Sequence, residues 1–153
     1  MCDEAMRDLF ELCNISGVSG FELEIGEKIK EIFSTHCEKT EIDALGNVVG
    51  IIGEGNKKRV MLEAHIDEIG LMVKNIDENG FVSFAEIGGI NPSVLPSSEV
   101  IIHGRERIYG VIGAKPPHLQ SEEESEKRYK TDELFIDTGF NKEIGRASCR
   151  ERV

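Results

Sequence analysis

Lys58-Arg59-Val60-Met61-Leu62-Glu63-Ala64-His65-Ile66-Asp67-Glu68-Ile69-Gly70 decides how this chain is read. Two cations open the stretch, an apolar run follows, and a histidine and two acids close it. A short apolar run of this kind predicts a buried strand. Sites in open α/β sheets gather at the carboxyl ends of strands, and His65 falls at such an end. Residues i and i+2 of an extended chain face the same way, so His65 and Asp67 share a side. An imidazole that binds a metal through one nitrogen usually donates its other N–H to a neighbouring oxygen. Asp67 is the candidate for that oxygen, and Glu68 is less well placed. The spacing alone also fits a histidine that merely closes a core strand.

Upstream, Met6, Leu9, Phe10 and Cys13 recur at helical spacing and predict a helix over 3–14. Gly17 and Gly20 break the pattern. Ser19 with Glu22 three residues on reads as a capping box. It opens a second helix over 21–35, with Ile25, Ile29, Ile32 and Phe33 facing inward. His36 at its end reads as a C-terminal cation. Residues 40–43 and 47–52 form two strands around Ala44-Leu45-Gly46. Helices and strands mixed in this way suit the start of an α/β domain.

After Gly70 the texture is β-rich. Residues 71–76 and 81–85 flank Asp77-Glu78-Asn79-Gly80, and Asn-Gly is a strong hairpin signal. Residues 100–103 and 109–112 add two short strands, with His103 in a structural position. No amphipathic helix of useful length lies between 70 and 119, which is the pattern of a small all-β module. His118 follows Pro116-Pro117, whose backbone is stiff and extended. It is a candidate for a substrate pocket or a subunit contact, and a plain surface loop fits as well. Residues 120–130 are a charge run of acids followed by cations, which suits a solvated segment. Leu134 to Asp137 reads as a returning strand.

The chain carries a formal charge of −11, which disfavours nucleic acid or an anionic membrane as a partner. No apolar stretch approaches the roughly 20 residues of a membrane span. The first residues lack the basic and apolar regions of a signal peptide. The cysteines at 2, 13, 37 and 149 make no CxxC pair, so free thiols of a cytoplasmic protein are the simple reading.

The stretch Ala64 to Gly70 resembles the metal-binding segment of the M42 metallo-aminopeptidases, a family that includes glutamyl and tetrahedral aminopeptidases. Four further blocks resemble it in the same order: Gly17-Val18-Ser19-Gly20-Phe21-Glu22, Asp43-Ala44-Leu45-Gly46-Asn47-Val48, Ile87-Gly88-Gly89, and residues 110–119. The resemblance runs from residue 6 to about 140. It implies an incomplete zinc-peptidase-like α/β catalytic domain over 1–70. It also implies an inserted small β-barrel domain over 71–143 that serves homo-oligomer assembly before the chain returns to the catalytic domain. It implies peptide substrates trimmed from the N-terminus and two divalent metal ions, zinc or cobalt, in the intact parent. His65 would be a metal ligand and Asp67 would orient it. The other ligands and the general base match nothing in this chain, so the fragment itself is expected to be inactive.

Residues 144–153 depart from the family. They resemble one reading frame of a sequencing adapter and are expected to be a non-native tail. Two other function classes compete with the enzyme fragment. One is a non-catalytic oligomerisation or binding module built on the β segment. The other is a glycan hydrolase, because some relatives carry an endoglucanase name. That chemistry needs a pair of carboxylates across a sugar, and no such pair stands out.

Overall fold

A computed structural model describes residues 2–53, 55, 58–116 and 128–140. His118 and the tail from 144 lie outside the described residues, as does most of the charge run. The chain divides into two compact units, Met1–Glu68 and Ile69–Val153. Helices and antiparallel sheets together make a mixed α/β fold.

In the first unit, α1 spans Cys2–Cys13 and α2 spans Leu23–His36. Lys28 of α2 ties the two together by reaching Glu11 at 3.0 Å, and it also holds Glu31 at 3.1 Å. The expected capping box does not form. Glu22 is the N-cap of α2 without a side-chain cap bond. Its Oε1 instead accepts the Gly20 N–H at 2.7 Å, and Ser19 turns its hydroxyl elsewhere. The helix stops at Cys37, whose backbone is extended and whose N–H reaches the Phe33 carbonyl. Strands β1 (Lys39–Ile42) and β2 (Val48–Ile51) follow as an antiparallel pair, with Thr40 opposite Gly50. Their turn is organised by Asp43. Its carboxylate accepts the Leu45 N–H, the Asn47 N–H and the Asn47 side-chain amide at 2.8–2.9 Å.

The expected buried strand at 58–65 is absent. Residues 58–67 have no strand pairing, and Val60, Met61 and Leu62 are all exposed, Leu62 by 94%. The physical reason is the sheet itself. Among the described residues β2 pairs only with β1, and an apolar run becomes a buried strand only where a neighbour takes its N–H and C=O groups. The apolar stripe of α1 is likewise uncovered at Met6, Leu9 and Phe10. Among the described residues of this unit, the buried ones are Gly17, Val18, Ile25 and Gly26.

Among its described residues the second unit forms one five-stranded antiparallel sheet in the order β3-β4-β7-β6-β5. β3 is Gly70–Ile76, β4 Val82–Ile87, β5 Glu99–His103, β6 Arg107–Ala114 and β7 Leu134–Asp137. Period-2 alternation is plain in β6, where Ile108, Gly110 and Ile112 are buried and Arg107, Tyr109 and Val111 are exposed. The buried face joins Leu71, Val82, Phe84, Ile102, Ile112 and Ile136 in one core. The sheet is open among the described residues, with β3 and β5 as its edges, where a barrel would close them on each other.

The Asn79-Gly80 turn is tight, but it is not the two-residue turn that Asn-Gly usually signals. Asp77 and Phe81 close the loop, with the Asp77 N–H on the Phe81 carbonyl at 2.9 Å and the Gly80 N–H on the Asp77 carbonyl at 3.3 Å. Gly80 has φ +95°, so it fills the left-handed position of a three-residue loop. β7 enters the sheet between two earlier hairpins. In the short 3-10 turn just before it, the Thr131 hydroxyl donates to Glu86 of β4.

Candidate functional site

The loop after α1 and the end of the 58–68 stretch meet as a short parallel bridge between Val18 and Glu68. The Glu68 N–H donates to the Gly17 carbonyl at 2.8 Å, and the Ser19 N–H reaches the Glu68 carbonyl at 3.4 Å. The Glu68 side chain adds a third tie, with Oε1 accepting the Gly17 N–H at 2.9 Å. Val18, buried beneath, anchors the loop.

On this clamp sit the two residues singled out by spacing. His65 Nδ1 lies 2.9 Å from the Asp67 carbonyl oxygen and 3.1 Å from Asp67 Oδ1. Both partners are acceptors, so Nδ1 carries the proton and donates to both. In the neutral ring Nε2 is then the lone-pair nitrogen. The imidazole is 85% exposed against 42% for the Asp67 side chain. The other carboxylate oxygen, Oδ2, accepts the Ser19 hydroxyl at 2.5 Å. That bond is the first cause holding the Asp67 carboxyl below its ordinary range; His65 adds to it, and partial desolvation opposes both. An Asp67 that stays ionised is a strong acceptor for the imidazole N–H.

The arrangement presents one neutral imidazole nitrogen backed by a carboxylate. That donor set fits one ligand position of a divalent metal site. It does not make a site by itself, since a catalytic zinc takes about three protein ligands. Among the described residues, no group of three or more His, Cys, Asp or Glu side chains is gathered to hold an ion. His36 ends α2 and His103 lies in β5, both away from this cluster in sequence and element. Sequence reasoning missed Ser19 and undervalued Glu68. Ser19 bonds a residue 48 positions away, and nothing local distinguishes that partner from a helix cap.

A family model for the M42 glutamyl aminopeptidases matches residues 46–147. The chain belongs to that family. Among its curated relatives is the lysyl aminopeptidase of Pyrococcus furiosus, 36% identical over 153 residues. The alignment takes in 98% of this chain and 41% of that protein. Among solved structures, the TET aminopeptidase of a marine-sediment Thaumarchaeota archaeon superposes with a TM-score of 0.90 at 28% identity, over 99% of this chain and 44% of that one. The TET1 peptidase of Pyrococcus horikoshii, described as assembling into a tetrahedron or a large octahedral shell, gives 0.80 at 33% identity, over 97% and 46%. The chain therefore spans less than half the length of the family members it matches.

Proposed function

We propose that this chain is the N-terminal portion of a metal-dependent aminopeptidase that releases N-terminal residues from peptides. The observation that carries the reading is the His65 imidazole, held by Asp67 in the tautomer that leaves Nε2 open, in a chain of the M42 family. His65 supplies one metal ligand and Asp67 orients it. Two divalent ions, zinc or cobalt, would polarise the scissile carbonyl and activate water when bound. The remaining ligands and the proton-transfer group come from protein beyond these 153 residues, and the chain alone turns over no peptide.

The second unit is the assembly surface of a homo-oligomer in this reading. Support comes from the fold shared with the TET peptidase and from the exposed apolar side chains Ile101, Tyr109 and Val111 on one face of its sheet. We place the protein in the cytoplasm, consistent with Cys13 and Cys37 as free thiols. No helix among the described residues is long and apolar enough to cross a membrane.

The test compares this chain with its intact parent on a panel of aminoacyl p-nitroanilides, with metal content measured alongside. Turnover and bound metal in the parent, and neither in the 153-residue chain, are the expected results. Stoichiometric metal with turnover in the short chain would overturn the ligand count. A parent with no peptidase activity but full oligomers would favour a pure assembly module.

A further inference from the structure

We infer that Ser19 is a positioning residue for His65, acting through the Asp67 carboxylate. The inference deepens the aminopeptidase reading and rests on it for its functional meaning. Its geometry stands alone.

An aspartate carboxylate turns about a broad, roughly two-fold torsion. One hydrogen bond leaves that torsion soft. In this structure each oxygen has its own partner: Oδ1 faces His65 Nδ1 at 3.1 Å and Oδ2 takes the Ser19 hydroxyl at 2.5 Å. The Ser19 bond is the shorter, and its donor is fixed from behind. Gly17 is tied to Glu68 through both its N–H and its carbonyl, and the Ser19 N–H points to the Glu68 carbonyl. The serine hydroxyl is therefore delivered to Asp67 by backbone whose placement does not depend on Asp67. Remove the hydroxyl and the plane of the carboxylate is set by His65 alone. The imidazole then keeps only the backbone oxygen of Asp67 as a fixed acceptor, and its tautomer and ring angle loosen. Ser19 touches neither metal nor substrate in this account.

The experiment reads the tautomer directly. In the 15N-labelled, metal-free 153-residue chain at about pH 8.5, well above the ordinary imidazole pKa of about 6.5, ring nitrogen shifts distinguish Nδ1–H from Nε2–H. His65→Gln assigns the signal. Wild type should be predominantly Nδ1–H. Ser19→Ala should shift His65 toward a mixture, and Ser19→Thr, which keeps a hydroxyl, should restore it. Ser19→Cys should fall between, and it serves as the probe if Ser19→Ala loses the dispersed amide spectrum of the folded chain. Zinc titration of the intact parent should show about tenfold weaker binding for Ser19→Ala, the low end of what outer partners of metal ligands contribute. An unchanged His65 tautomer in folded Ser19→Ala and Ser19→Cys would overturn the inference. A parent that binds no zinc would overturn the aminopeptidase reading, while the tautomer shift would still stand or fall on its own.

Discussion

Gly110 of β6 lies against the side chain of Ile136 of β7, diagonal to it in a ladder where Ile112 is the direct partner. A Cβ at position 110 would come within 2.5 Å of Ile136 Cγ2 and 3.2 Å of the Asp137 carbonyl oxygen. Ile136 is fully buried and β-branched, so its methyl has little room to turn aside. Gly110→Ala should therefore overpack the sheet and destabilise it by about 1–3 kcal/mol. Urea unfolding followed by circular dichroism checks this. Equal midpoints for variant and wild type would show that the strands can spread at no cost.

Asp77 is the clasp of the β3–β4 hairpin. Its Oδ1 accepts the Asn79 N–H at 2.7 Å and the Phe81 N–H at 3.0 Å. Asp77→Ala should cost about 1 kcal/mol, the usual net worth of such bonds. The Asn79 and Phe81 amides should exchange with deuterium faster than in wild type while β6 amides keep their rates.

The β1–β2 turn should open in acid. The Asn47 side-chain amide, then the Asn47 and Leu45 backbone N–H groups, hold the Asp43 carboxyl below its ordinary range. A depressed folded pKa means a contribution fully present above the unfolded carboxylate value of about 3.9 and lost as pH falls through the lower, folded value. Chemical shifts of Leu45 and Asn47 should titrate in that acid window and stay flat above pH 5. In Asp43→Ala they should stay flat throughout.

In the intact parent, Asp67→Asn should weaken metal binding or turnover by about 10–100-fold, as loss of a carboxylate behind a metal-ligating histidine does. His65→Ala should lose one ligand and most of the activity. Wild-type rates in His65→Ala would remove this residue from the site.

The exposed run Val60-Met61-Leu62 should make the isolated chain self-associate, because unpaired apolar backbone is a template for pairing. Light scattering after size exclusion should give masses above the monomer. Leu62→Lys should move the distribution toward monomer, and an unchanged monomeric wild type would defeat the expectation.

Much of this molecule is legible in its sequence because the signals are local. The helices follow from 3.6-residue periodicity, with Gly17 and Gly20 between them. The hairpin strands follow from alternation, and Asn79-Gly80 marks their turn. What the sequence hid is non-local. Whether 58–65 becomes a strand depends on a neighbour, and its apolar character says nothing about whether one is present. Ser19 looks like a cap because Glu22 stands three residues on, yet in the fold its hydroxyl meets a charged acceptor 48 positions away. Which two strands β7 would separate is equally invisible, since four alternating residues fit any slot in a sheet.

That slot has a kinetic meaning. β3 with β4, and β5 with β6, are hairpins closed by short links, and such pairs form within microseconds. β7 pairs with both, through Val82 with Ile136 on one side and residues 111–114 on the other. Among the described residues it is the only strand that pairs with both hairpins. In synthesis residues 70–114 are made before 134–137, so the backbone ladders that join the two hairpins can form only after both hairpins exist. A chain cut short before residue 134 should lack both ladders and leave one long edge of β4 and one of β6 unpaired.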